Sequence, residues 1–299
     1  MEEVIRIDSV DDYNKLFGLP TIHPLVSVVD LSESHEFPND FSMSYGVYAL
    51  YLKQTKCGDI RYGRNRYDYQ EGTVVAFAPG QVSAVERTPG MMPSAYGVLF
   101  HPDLIRGTSL GREIGNYTFF SYDSTEALHL SEEERVIVKD CLDKIRRELE
   151  QPADSHTQRL IVSHIRLLLD YCMRFYERQF VTRTEVNRDV LVAFERLLNG
   201  YYESGEQHRN GLPSVKYFAD KVCLSANYFG DLIKKETGRS AQEQIQNKLI
   251  DLAKERILSG RETIGEIAYD LGFQYAQHFS RLFKRVTGLT PNQYRLRAD

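Results

Sequence analysis

Gln277, Ser280, Arg281 and Lys284 stand at i, i+3, i+4 and i+7, the spacing that gathers side chains on one side of an α-helix. Their types suit base edges and phosphates. An Arg guanidinium can donate twice to guanine, a Gln carboxamide can pair with adenine, a Ser hydroxyl suits either, and a Lys ammonium neutralises a phosphate. Fifty positions earlier the same spacing holds Asn227, Gly230, Asp231 and Lys234. That set is the poorer one: Gly230 has no side chain, and Asp231 would repel phosphates while being able to accept from cytosine.

Both sets are embedded in a string that the chain writes twice, "FGDLIKKETGRS" from Phe229 and "FSRLFKRVTGLT" from Phe279. In each copy two cations close a helix where its dipole favours them, and Gly238 or Gly288 follows to end it in the left-handed conformation. Ser240 with Glu243 and Thr290 with Gln293 then read as capping boxes, with Pro291 at the first position of the next helix. Upstream, Phe218-Ala219 matches Ile267-Ala268 and Val222 matches Leu271, and Gly272 suits a turn with positive φ. Each copy is therefore a short helix, a tight turn and a longer helix. In this helix-turn-helix plan the second helix is offered to a major groove. The long helices are expected to bury Phe229, Leu232, Ile233 and Glu236 in one copy and Phe279, Leu282, Phe283 and Val286 in the other, leaving the two polar sets outward. Between the copies "SAQEQIQNKLIDLAKERILSG" provides about 18 helical residues, roughly 27 Å long. Two helices entering one face of a duplex must sit about one turn, roughly 34 Å, apart.

Charge permits such a partner without demanding it. The stretch Tyr201 to Asp299 carries 15 Lys+Arg against 12 Asp+Glu, a net of +3, which leaves 22 against 30, or −8, on the remainder. Other chemistries find less support. Cys57, Cys141, Cys172 and Cys223 are scattered with no CxxC, so buried free thiols are expected rather than disulfides or zinc. No paired acid and base or activated nucleophile is written in the chain, and no cofactor, catalytic residue or metal ligand is assigned. No apolar run approaches the roughly 20 residues that cross a bilayer, and the acidic start lacks the pattern of a secretory signal, so a cytoplasmic protein is expected.

The region before the duplication has a different period. From about Leu25 to Pro102, "LVSVVDL", "MSYGVYALYLK", "IRYGRNRYDYQ", "TVVAFA", "VSAVER" and "AYGVLF" read as strands separated by turn signals, with an antiparallel sandwich or barrel as the natural closure. After Ser131 the period becomes helical. Ser131/Glu134 caps one helix with Val138, Leu142, Ile145 and Leu149 on a stripe. Ser155/Gln158 is expected to cap a second with Ile161, Ile165, Leu168, Cys172 and Phe175. These stripes serve either packing on the strands or a helical dimer seam. A further helix, "NRDVLVAFERLLNGYY", precedes the duplicated units. The expected fold class is α+β, with domains at 1–182, including a helical segment 131–180, and at 187–299.

The duplicated region, from about Asn187 to Arg297, resembles the AraC/XylS family of bacterial transcription regulators, most closely in "TIGEIAYDLGFQYAQHFSRLFKRVTGLTPNQYR". The resemblance implies promoter DNA as a partner, held by Asn227, Gly230, Asp231, Lys234, Gln277, Ser280, Arg281 and Lys284. It also implies RNA polymerase as a partner, a homodimer, and a small-molecule effector bound at residues the sequence does not name. The chain departs from the family at Gln244 and Leu249, where an aromatic and an Arg are often found. More weakly, "YQEGTVVAFAPGQVSAVE" and "GVLFHPDLIRG" resemble a cupin-like sensor barrel. Metal-binding cupins place histidines where this chain has Arg64, Arg66 and Ser83, so no metal is expected; Arg61, Arg64 and Arg66 either line a pocket for an anionic or sugar-like ligand or are solvated. The competing classes are a cupin-type enzyme and an adaptor whose helices bind protein.

Overall fold

The computed structural model describes residues 4–34, 41–53, 60–62, 65–66, 72–85, 94–123, 126–182 and 184–297. The chain divides into two compact units, Met1–Thr182 and Arg183–Asp299. Cys57, His35, Arg64 and the side chains of Arg61 and Arg66 lie outside the described residues.

The first unit is β-rich. Its strands are β1 (Val4–Ile7), β2 (Val26–Asp30), β3 (Phe41–Tyr45), β4 (Tyr48–Lys53), β5 (Ile60–Tyr62), β6 (Asn65–Arg66), β7 (Thr73–Phe77), β8 (Val82–Val85), β9 (Ala95–Phe100) and β10 (Leu128–His129). They form two five-stranded sheets, ordered β1-β3-β8-β5-β6 and β10-β7-β4-β9-β2, and among the described residues only the β1/β3 pair is parallel. Among the described residues no ladder joins the sheets, so the strands do not close into a barrel. The stretch read as one strand, "MSYGVYALYLK", is two. Gly46 donates to Ile7 O at 2.7 Å, which breaks the run and sends β3 into one sheet and β4 into the other. Residues from both sheets, including Ile7, Met43, Tyr45, Tyr51, Val75 and Leu99, share one core.

That core is unusually aromatic and hydroxylated. Tyr13 comes from α1 (Val10–Leu16), a helix capped by the Ser9/Asp12 box that the strand reading passed over. Its ring stacks on Tyr51 at 6.1 Å, and Tyr45 stacks on Phe77 at 4.8 Å. Burial raises all three phenols, that of Tyr45 to about 12, so they stay neutral. The hydroxyls of Tyr51 and Ser83 are buried beside that of Tyr45, and among the described residues neither makes a hydrogen bond of full geometry.

Tyr51 also explains a glycine. A β-carbon on Gly97 of β9 would lie 2.4 Å from Leu50 O and 2.7 Å from Tyr51 Cδ1. Gly97→Ala must therefore push the strands apart and should destabilise the first unit by about 1–3 kcal/mol, read as a lower urea midpoint with unchanged slope.

After the short helices α2 (Pro102–Ile105) and α3 (Ser109–Glu113) come α4 (Glu132–Leu149) and α5 (Thr157–Thr182). The Ser131/Glu134 box caps α4 as expected. The cap of α5 does not follow expectation: Asp154 Oδ1 accepts from Thr157 N at 3.0 Å, and Gln158 Nε2 donates instead to Leu104 O at 2.9 Å. Asp out-competes Ser155 because a carboxylate is the stronger acceptor for helix-start amides. Helix α4 packs on β2, β4 and β9, and α5 lies along α4 and against β10. Tyr96 Oη donates to Asp143 at 2.8 Å and Arg178 forks onto Glu134, which fixes the helices on their sheet. The stripe of Ile161, Ile165, Leu168, Cys172 and Phe175 is buried inside this unit, so it serves packing and is not an exposed seam.

The second unit is helical: α6 (Thr184–Glu203), α7 (Gln207–Asn210), α8 (Val215–Lys221), α9 (Ala226–Thr237), α10 (Ala241–Ser259), α11 (Ile264–Asp270), α12 (Ala276–Thr287) and α13 (Pro291–Leu296). Phe194 of α6 meets Phe218 and Phe229 edge-to-face, both at 5.2 Å, so α6 completes the core under α8 and α9. No described helix is long and apolar enough to cross a membrane.

Candidate nucleic-acid interface

The helix ends of the second unit follow the duplicated string. Gly238 and Gly288 cap α9 and α12 at φ 71° and 79°, and the Ser240/Glu243 and Thr290/Gln293 boxes start α10 and α13. Two short helices open under Ser214 and Thr263, and Ser225 caps α9. The turns share a left-handed residue, Gly272 at φ 95° and Cys223 at φ 58° in the equivalent place, but the second turn, 271–275, is one residue longer than the first, 222–225, and Tyr275 offers α12 no side-chain cap. Cys223 is also exposed, against the expectation of buried thiols, whereas Cys141 and Cys172 are buried. A turn residue with its side chain directed outward leaves nothing for the thiol to pack against.

Two cores back the presented helices. Ala219 and Ala268 are fully buried, which lets α9 and α12 cross close over α8 and α11. Phe279 and Phe283 of α12 pack with Leu249, Ile250 and Ala253 of α10, Ile267 of α11 and Phe273. Leu249, one of the two departures from the family, is thus a core residue, which removes it from any contact with DNA. Val286 was expected to be buried and is 38% exposed, because it stands on the margin of the stripe one turn beyond Phe283. Its counterpart Glu236 is half-buried and accepts from Asn187 at 3.3 Å.

With those faces committed, the polar sets are displayed on α9 and α12. Asn227 and Lys234 are exposed, and Gly230 and Asp231 are half-buried. On α12, Gln277, Arg281 and Lys284 are exposed, and among the described residues neither cation has an ion-pair partner. Ser280 is half-buried and its hydroxyl donates to Ala276 O at 3.1 Å, so it must break that bond to meet a base. Tyr275, 62% exposed, stands at the head of α12 and packs edge-to-face on His278 at 5.5 Å. Neither residue was picked out from the sequence, because an aromatic at that offset fits a core equally well. Helix α10, with 19 residues, spans roughly 28 Å between the copies.

A charge cluster braces α10 against the second copy. Arg256 forks onto Glu262 and also donates to Asp270, and Arg295 Nη2 donates to Glu262 O at 2.7 Å. The Arg256 guanidinium holds the Glu262 carboxyl below its ordinary 4.5. A carboxyl lowered in the folded state stabilises above the unfolded value and loses that contribution as pH falls through the folded one. The gap in thermal midpoint between the protein and its Arg256→Met variant should therefore be widest near pH 7 and shrink as pH falls to about 3, which scanning calorimetry would record.

A helix-turn-helix domain family model matches residues 218–297. The chain is 35% identical over 82 residues to the uncharacterized HTH-type transcriptional regulator YobQ of Bacillus subtilis, covering 27% of this chain and 34% of the relative. It is 31% identical over 77 residues to the arabinose operon regulatory protein of Escherichia coli K12, covering 26% of each. The chain thus spans about a third or less of the length of the curated relatives it matches. Among solved structures, the C-terminal domain of the response regulator yesN from Fusobacterium nucleatum is 27% identical with a TM-score of 0.30, over 34% of this chain and 96% of that one. Residues 218–297, which hold the second copy and the first from Phe218 of α8 onward, form a helix-turn-helix domain of the AraC/XylS type.

Proposed function

We propose that this chain is a cytoplasmic, sequence-specific transcription regulator that binds promoter DNA through α9 and α12. The observation that carries the reading is the outward face of α12, where Gln277, Arg281 and Lys284 stand exposed opposite a buried Phe279–Phe283 stripe. The first unit, read as a cupin-like sensor, binds a small-molecule effector. Support comes from the buried hydroxyl cluster of Tyr13, Tyr45, Tyr51 and Ser83, in which among the described residues Tyr51 and Ser83 lack a hydrogen bond of full geometry; an unsatisfied buried polar group costs about 1–3 kcal/mol, and a ligand offering hydrogen bonds would reduce that cost. Homodimerisation has its support on α5, where Leu160, Leu167 and Val181 remain exposed at multiples of seven residues. RNA polymerase is the further partner that follows from regulation at a promoter.

Selecting binders from a random duplex pool with the full-length protein tests the DNA reading. A shared motif in two unequal halves is the expected result. Failure to enrich any motif would favour the adaptor, and turnover of a small molecule by the purified chain would favour the cupin-type enzyme.

A further inference from the structure

The two helix-turn-helix copies are joined by more than α10. At the end of α6, adjacent tyrosines pack edge-to-face on each other at 5.5 Å and reach different cores. The Tyr201 ring packs on Tyr217 at 5.2 Å and on Phe218 at 6.2 Å, within the first copy. Tyr202 packs against the second core, built on α10, α11 and α12. The chain that follows stays wedged between the copies. Tyr217 Oη donates to Glu206 at 2.6 Å, a tie to the first copy, and Tyr201 Oη donates to Gly211 O at 2.9 Å, which holds the end of the segment to its start. On the other side His208 Nε2 lies 3.6 Å from Asp270, at the end of α11. Gly211 meets the turn of the second copy so closely that a β-carbon on Gly272 would come within 2.9 Å of Gly211 C.

We propose that Tyr201–Gly211 is a clamp that sets the position of α12 relative to α9, so that the chain accepts its two half-sites at one spacing only. The clamp itself is a statement about the protein; its consequence for spacing rests on the DNA reading above. A single helix linker would let the copies twist about α10. A second connection, anchored in both cores, removes that freedom, because two attachments on different sides of a hinge leave no free rotation. One added base pair moves the distal half-site by about 3.4 Å and turns it by about 35°. When geometry forbids simultaneous engagement, the gain from linking two sites is lost, typically a factor of about 100 or more.

Because Tyr202→Ala would also hollow the second core, the test uses Tyr217→Phe with His208→Ala, which keeps the Tyr201 and Tyr202 rings and the ring at position 217 in place and cuts one tie on each side. Spin labels at Lys235→Cys in α9 and Val286→Cys in α12, both exposed, report their separation in the full chain without DNA, on a Cys57→Ser/Cys223→Ser background. A narrow distance distribution that broadens in the tie-cut variant is expected. A distribution that is broad from the start, or equally narrow in both, overturns the clamp whatever the DNA result. On the selected site, the unmodified chain should lose about 100-fold in affinity when one base pair is inserted between the halves, and the variant about tenfold less than that, with binding to a single half-site unchanged. Identical spacing penalties would overturn the clamp as well. If no site is selected, the DNA reading fails while the distance measurement still decides.

Discussion

Replacing Phe279 with alanine is expected to unfold the second helix-turn-helix copy. The ring is fully buried, 5.4 Å from Phe273 and 5.7 Å from Phe283, and it holds α12 on α10 and α11. Truncating a buried Phe to Ala costs about 3–5 kcal/mol, the lost transfer energy plus the cavity left behind. A domain of ordinary stability holds only about 5–15 kcal/mol in all, so the loss consumes a large share of it. The effect should stay local. The first copy rests on Phe194, Phe218 and Phe229, whose link to the second core among the described rings runs through Tyr201 and Tyr202. Hydrogen exchange should therefore show loss of protection over α11 to α13 with α8 and α9 still protected. Uniform loss over both copies would mean that the two cores fold as one.

The same separation explains what could be read from the chain. Helix ends are local: a capping residue and its partner stand three positions apart, so Ser131, Ser240 and Thr290 announce their helices in the sequence itself, as do the glycines Gly238 and Gly288. The buried stripe of α12 was legible for the same reason at Phe279 and Phe283 but not at its margin, where Val286 is exposed. Pairing in sheets is not local. That Gly46 is stopped by Ile7, thirty-nine positions earlier, decides which sheet β4 joins, and nothing in the run "MSYGVYALYLK" records it. The cap of α5 was missed through chemistry rather than distance, since Asp154 and Ser155 are neighbours and the carboxylate won. Tyr201 and Tyr202 read as the end of an amphipathic helix. Only the fold reveals that, packed on each other, they bridge two cores.

Arg281→Ala should cost about 1–3 kcal/mol at the selected site, a factor of roughly 5 to 150, and should relax the preference at one base pair only. The argument is geometric. Arg281 stands on the face of α12 away from Phe279 and among the described residues makes no ion pair, so its guanidinium is free to donate both bonds to guanine. Lys284 lies one turn on, in the last turn of the helix, where an ammonium serves as a point charge. Lys284→Ala should weaken every sequence alike and lower the slope of log affinity against log salt by about 0.9, the share of one phosphate. Anisotropy titrations of both variants at several salt concentrations, on the selected site and on a version changed at one base pair, separate the two effects. On α9 the equivalents of Ser280 and Arg281 are Gly230 and Asp231, neither of which can donate to guanine. Gly230→Ser should therefore change affinity by less than Arg281→Ala does. If the two changes were equal, the half-sites would be read with equal strength and the asymmetry inferred from the duplicated string would be wrong.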